Sequence, residues 1–422
     1  MPTEQASDDP HRVRLASLLS HEHPLYRLAE AIDWESFETD LGALYAEEVG
    51  RPGLPTRLMV GLHYLKYLFD ESDESVVEKW VENPYWQYFC GHLYFEHELP
   101  CHPTSLVRWR HRLGSAGVEK LLTETLSTAK REQALRDSEI KRVNVDTTVQ
   151  EKAVAFPTDA RLYHKARRAL VRAATAAGLD LRQTYVRLGK QALARQGRYS
   201  HARQMRRARR ETKRLRQYLG RVMRDIRRKC PRPAPSLKLL LERSERILRQ
   251  QRHDSKKIYS VHAPEVECIA KGKAHKPYEF GCKVAVVTTS RSSWVVGISA
   301  VHENPYDGAT LAPALKQVER TTAVKPEEAF VDRGFKGAAH HPAGVAVYVS
   351  GRKRLTRTLK SMLRRRSAIE PVIGHLKQEH GMERNHLLGQ EGDRINALLT
   401  GCGFNLRKLW RFFKAAVRLQ PA

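Results

Sequence analysis

The placement of strand-like segments constrains this chain more than any other feature. The segment Val143-Asn144-Val145-Asp146-Thr147-Thr148-Val149 alternates apolar and polar positions with the two-residue period of a strand. The alternation turns Asp146 away from the face that carries the valines. Strand patterns resume only at Phe280–Val287, and continue through Ser293–Ile298, Glu328–Val331 and Val345–Val349. A helix is expected over Thr310–Thr321, preceded by Asp307-Gly308, and an amphipathic helix over Arg394–Val417, with Ile395, Leu398, Leu399, Phe404, Leu406 and Leu409 on its apolar side. Strand, long interruption, two strands, helix, two strands and helix make an α/β arrangement broken after its first strand.

The interrupting stretch, Thr158 to Lys257, holds 31 Lys and Arg against seven Asp and Glu, a surplus of 24 in a chain of net charge +27. Periodic leucines and the lack of interior proline before Pro231 predict two or three long helices, with a break at Pro231-Arg232-Pro233-Ala234-Pro235. Charge this dense calls for a polyanion, and duplex DNA offers about one phosphate per 1.7 Å of axis. Arg206, Arg207, Arg209 and Arg210 are the densest group and the expected backbone contacts. Such contacts position a protein without reading bases. A solvated face or a flexible arm is the plainer alternative.

Residues 15–125 read as helical. Leu58, Leu62, Leu65 and Leu68 recur at helical spacing, Asp73 and Ser75 suit a helix start, and Asn83-Pro84 a stop. Thr104 or Ser105 suits the cap of a further helix ending at Gly114. The other face of that helix shows Arg108, Arg110, His111 and Arg112, so Arg108 and Arg112 are candidate contacts to a DNA end; a packed adaptor with solvated arginines fits equally.

With 41% hydrophobic and 29% charged residues, the composition is that of a globular protein of two or three domains, not a disordered chain. No apolar run approaches the roughly 20 residues of a membrane span, and the polar N-terminus has no secretory signal. Six scattered cysteines form no framework and fit a reducing cytosol. Cys90, His92, His97, Cys101 and His102 match no strong zinc spacing and read as buried structural residues.

Three acids stand apart. Asp146 lies on the first strand. Asp332 ends the strand Ala329-Phe330-Val331 and enters Arg333-Gly334-Phe335. Glu370 has Arg366 four residues before it and Lys377 seven after, which places all three on one helix face. Three carboxylates from separate segments, with bases beside the last, suit a two-metal phosphoryl-transfer site. The alternatives are a strand-edge acid for Asp146, a turn acid for Asp332 and, for Glu370, a capping box with Ser367. Arg366 and Lys377 could equally pair with Glu370, and Asp307 reads as a helix-capping acid rather than a ligand.

The Asp332-Arg333-Gly334-Phe335 segment and the Arg366–Glu370–Lys377 spacing resemble the signature of bacterial insertion-sequence DDE transposases, specifically the insertion-sequence-five group. Phe156-Pro157-Thr158-Asp159-Ala160, the stretch from His262 to Cys268, the stretch from His275 to Gly281, Asn304-Pro305-Tyr306-Asp307-Gly308 and Gly392-Asp393-Arg394-Ile395-Asn396 resemble further blocks of that group, so the likeness runs from about Pro24 to Arg411. One departure is Leu363, where the related pattern carries a tyrosine.

The resemblance implies a ribonuclease-H-like catalytic core formed by 138–157 and 258–422, interrupted by a basic helical insertion over 158–257 and preceded by an all-α N-terminal domain over 15–125. It implies that Asp146, Asp332 and Glu370 are catalytic and hold two Mg²⁺ ions, with Mn²⁺ able to substitute. Arg366, Lys377 and Arg333 would contact DNA. The implied partners are double-stranded DNA, both terminal inverted repeats and target, and a second copy of the chain in a homodimer or larger assembly; no membrane is expected. The implied activity is DNA cleavage and strand transfer in the bacterial cytoplasm, associated with the nucleoid. The rivals are a related nuclease that cuts without joining, and a DNA-binding protein derived from a transposase with a decayed site.

Overall fold

The computed structural model describes residues 12–42, 53–270, 276–351 and 356–418. His275, within one of the family-like blocks, lies outside them. The chain forms two compact units, 1–151 with 283–422, and 152–282.

The first unit is mixed α/β. Its strands are β1 (Arg142–Glu151), β4 (Val295–Val301), β5 (Glu328–Val331), β6 (Ala346–Val349) and the larger part of β3 (Tyr278–Thr289). Within this unit the order across the sheet is β4-β3-β1-β5-β6. β4 runs antiparallel to β3, while β1 runs parallel to β5 and β5 parallel to β6. Parallel strands need crossovers, and the helix Asp307–Thr322 supplies the one between β4 and β5. β1 is covered on both faces at Val143, Asn144 and Val145, and again at Thr148, Val149 and Gln150. The strict alternation expected of a one-sided strand is therefore absent, and between its two end residues only Asp146 and Thr147 are partly open.

The helices between Leu15 and Arg131 belong to this same unit. The helix expected to start at Thr104 or Ser105 begins at Pro103, capped by the His102 ring, which accepts from the Thr104 amide. Its first stretch ends at Gly114, as expected. There the backbone breaks from helical geometry (φ 64°, ψ 178°), a conformation glycine adopts without cost, and a second helical stretch continues to Arg131. Arg110, expected on the basic face, is buried and grips Asp73 with two bonds of 2.8 and 2.6 Å, and Lys66 joins the same carboxylate at 2.6 Å. The C-terminal helix, Gly389–Arg418, packs on the helices Thr56–Phe69 and Pro103–Arg131 and on β4, so it closes the core on one side.

Among its described residues the second unit contains four helices rather than two or three: Asp159–Ala176, Val186–His201, Met205–Lys229 and Pro235–Arg249. The extra breaks fall after Ala177-Gly178 and at Arg203, both left-handed turns (φ 70° at Gly178, 55° at Arg203) that leucine periodicity does not reveal. In Met205–Lys229, Leu215, Leu219, Val222 and Ile226 form a buried stripe at spacings of four, three and four. They join Leu162, Leu170, Leu237, Leu241 and Ile247 in a core of the unit's own. Arg206, Arg207, Arg209 and Arg210 lie on the exposed face. A short strand, β2 (Glu267–Ala270), pairs antiparallel with the start of β3.

Candidate active site

The register of β1 and β5 brings two of the acids together. Val145 is the parallel partner of Val331, so Asp146 and Asp332 each follow a paired residue on neighbouring strands. Adjacent strands lie about 4.8 Å apart, which puts the two residues side by side at the C-terminal end of the parallel pair. Each is held by a backbone amide. The Thr147 N–H donates to Asp146 Oδ1 at 2.7 Å, and the Gly334 N–H donates to Asp332 Oδ1 at 2.8 Å, where Asp332 caps the 3-10 turn Arg333–Phe335.

The third acid arrives on a helical segment. Arg357–Arg365 runs through a 3-10 turn, Arg366–Ala368, into the helix Ile369–Glu379. Ile369, Val372 and Leu376 are buried on the side that faces β1. Asn144 ties the segment down by donating to the Arg365 carbonyl at 3.3 Å. Arg366 then spans two of the acids: Nη1 donates to Asp146 Oδ2 at 3.3 Å, and Nη2 stands 3.6 Å from Glu370 Oε1. The capping box does not form, because the Ser367 hydroxyl donates to the Arg364 carbonyl instead. Glu370 is 66% exposed and therefore open to a ligand, whereas Asp146 is 17% exposed and Arg366 15%.

A fourth carboxylate belongs to this neighbourhood and was misread from sequence. Asp307 opens the helix Asp307–Thr322 but does not cap it. Its Oδ1 accepts from the Thr147 hydroxyl at 3.0 Å and from Lys283 Nζ at 2.8 Å. Its Oδ2 faces Gly334 so closely that a Cβ there would lie 2.9 Å from it, and 3.0 Å from Asp332 Oδ1. Next to it, the Tyr306 hydroxyl donates to the Lys336 carbonyl just beyond the Asp332 turn. The Asn304–Gly308 block carried the signal; what it could not show is which carboxylate it would meet.

Arg333 packs over the backbone of Gly351, where a Cβ would come within 2.6 Å of its guanidinium. Lys377 is half-buried in the last turn of its helix and lines a cleft of about 700 Å³ together with Lys66, Arg110, His111, Arg384 and Glu391. Arg108 and Arg112 are exposed on the helix Pro103–Arg131. Carboxylate oxygens are the donors hard divalent cations such as Mg²⁺ take, so Asp146, Asp332 and Glu370 fit that group by chemistry.

Comparison with known proteins gives the family. A family described as Transposase domain (DUF772) matches residues 13–112, and a family described as Transposase DDE domain matches residues 346–410. The chain belongs to the insertion-sequence DDE transposases. The second match covers Arg366, Glu370 and Lys377; Asp146 and Asp332 lie outside both matched segments. The transposase is also 51% identical over 197 residues to an uncharacterized protein, ORF8 in the nfe locus of Rhizobium meliloti, a match that spans 47% of this chain and 95% of the relative. No solved structure matches it. The DDE domain implies a ribonuclease-H-like core, and its family generally uses divalent metal ions. Among the described residues, no helix is long and apolar enough to cross a membrane.

Proposed function

We propose that this transposase binds the terminal inverted repeats of its own element, cleaves there to free a 3′-hydroxyl, and joins that hydroxyl to target DNA. The observation that carries the reading is the parallel register setting Asp146 beside Asp332, with Arg366 linking Asp146 to Glu370. Asp146, Asp332 and Glu370 are the residues that would hold Mg²⁺ or Mn²⁺. Bound there, the metal lowers the pKa of water and stabilises the oxygens of an in-line displacement. Arg366 is a fork suited to phosphate and Lys377 a point charge, and the two grip phosphates flanking the scissile bond. Arg366 must give up carboxylate contacts to do so, which couples DNA entry to the arrangement of the acids.

The arginine face of the second unit holds the DNA backbone, with Arg206, Arg207, Arg209 and Arg210 as contacts. Arg108, Arg112 and Arg333 are contacts from the first unit. Two ends must be handled together, so a dimer or larger assembly acts on DNA. The test is substitution of each acid. Asp146→Asn, Asp332→Asn and Glu370→Gln each remove a ligand charge with little change in shape, and each should abolish cleavage of terminal-repeat DNA while binding persists. Wild-type cleavage by Glu370→Gln would remove that acid from the site. Cleavage without joining in the unaltered protein would instead identify a nuclease.

A further inference from the structure

The three proposed metal-binding acids are not the only charged groups at the site, and the fourth has a different task. Asp146 and Asp332 sit on separate strands, and nothing in the strand pairing alone fixes the directions of their carboxylates. Thr147 joins one to Asp307 through two different groups: its N–H holds Asp146 Oδ1 at 2.7 Å and its hydroxyl holds Asp307 Oδ1 at 3.0 Å. Asp307 then lies against Gly334, whose N–H holds Asp332 Oδ1 at 2.8 Å. Hydrogen bonds therefore run Asp146–Thr147–Asp307 on one side and Gly334–Asp332 on the other, with Asp307 Oδ2 set close against Gly334 between them.

A carboxylate so close to another would add repulsion, but Lys283 is buried against it at 2.8 Å and cancels the charge. Oδ1 of Asp307 is thus occupied as an acceptor by an ammonium and a hydroxyl, while Oδ2 faces Gly334. We propose that Asp307, neutralised by Lys283 and coupled through Thr147, is a positioning residue that sets the spacing of Asp146 and Asp332 for the metal ions. The inference rests on the assignment of those two acids given above. Outer groups that orient metal ligands commonly control affinity or activity by about 10- to 100-fold.

The test uses the full-length protein, with Mn²⁺ as the probe, followed by electron paramagnetic resonance titration beside thermal melting. Thr147→Val removes the hydroxyl and keeps the shape. It should weaken Mn²⁺ binding about tenfold or more, and Thr147→Ser should restore it. Unchanged Mn²⁺ affinity in a folded Thr147→Val protein overturns the proposal, whether or not melting shifts. If that variant does not fold, Asp307→Asn decides by the same measurement: weaker binding supports the brace and unchanged binding overturns it. Asp146→Asn and Asp332→Asn serve as controls. If they too keep wild-type Mn²⁺ affinity, the assignment of the acids fails; if they lose it while Thr147→Val does not, only the brace fails.

Discussion

Gly334 shows how little room the site leaves at the scale of one residue. A methyl group there would press on Asp307 Oδ2 at 2.9 Å and Asp332 Oδ1 at 3.0 Å, both below ordinary contact distance. Both carboxylates are tethered, Asp307 through its other oxygen to Lys283 and Thr147 and Asp332 to the Gly334 amide itself, so relief requires moving a carboxylate. Gly334→Ala should therefore lower cleavage by about 100-fold, the scale of a displacement of about 1 Å in a catalytic group. Its melting temperature should stay within a few degrees of the parent, because the turn is short and its Phe335 anchor remains buried. Cleavage kinetics beside a melting curve check this, and an active Gly334→Ala would mean that the turn yields freely. The sequence exposed the Asp-Arg-Gly-Phe block but not this reason for the glycine, since the opposing atoms come from a residue 27 positions earlier.

At the scale of elements, the C-terminal helix depends on close approach to its neighbours. Gly403 lies so near the helix Thr56–Phe69 that a Cβ would fall 2.4 Å from the Tyr67 carbonyl oxygen and 3.0 Å from His380 Nδ1. Overpacking at such a contact costs about 1–3 kcal/mol, and backbone has less freedom to retreat than a side chain. Gly403→Ala should destabilise the protein by at least that amount, measured by denaturant unfolding. The same region predicts a response to acid. His63 is buried and stands against Arg110, which lowers its pKa to about 3, and burial lowers that of His380 to about 4. Each donates from Nδ1 to a backbone carbonyl, Met59 for His63 and Tyr67 for His380, and stays neutral when folded. The unfolded chain takes up a proton on each near pH 6.5, so stability is full above that value and falls as pH drops towards 3–4. The expected loss at pH 5 is about 2 kcal/mol per histidine. Unfolding at pH 7 and pH 5 checks it, with His63→Gln expected to flatten the dependence.

At the scale of the whole molecule, the charge lies mostly in one segment, and the structure changes how its role is best tested. Excising Thr158–Lys257 would strip the cover from Ile258 and Val261, which are buried in the core of the second unit. Replacing Arg206, Arg207, Arg209 and Arg210 with glutamine removes exposed charge and leaves that core alone. If all four contact phosphate, the log–log dependence of DNA affinity on salt should become shallower by about 3.6, at about 0.9 per contact. An unchanged slope would mean that these arginines face solvent while DNA is held elsewhere. Much of the molecule was legible beforehand, because strand alternation, the leucine stripes of the long helices and the concentration of arginine are local properties written at periods of two and of about 3.6 residues. Those periods, with the spaced acids and the family-like blocks, determined the α/β order, the interruption after the first strand and the candidate residues Asp146, Asp332 and Glu370. They could not determine partners. That Asp307 leaves the helix cap for Lys283 and Thr147, that Arg110 turns inward to Asp73, and that Arg366 reaches Asp146 rather than Glu370 alone were decided only in the folded chain. A charged side chain goes to whichever opposite charge or hydrogen-bond partner the packed elements bring within about 3 Å, and that neighbour comes from strand register and helix docking, which join residues as far apart as 146 and 366.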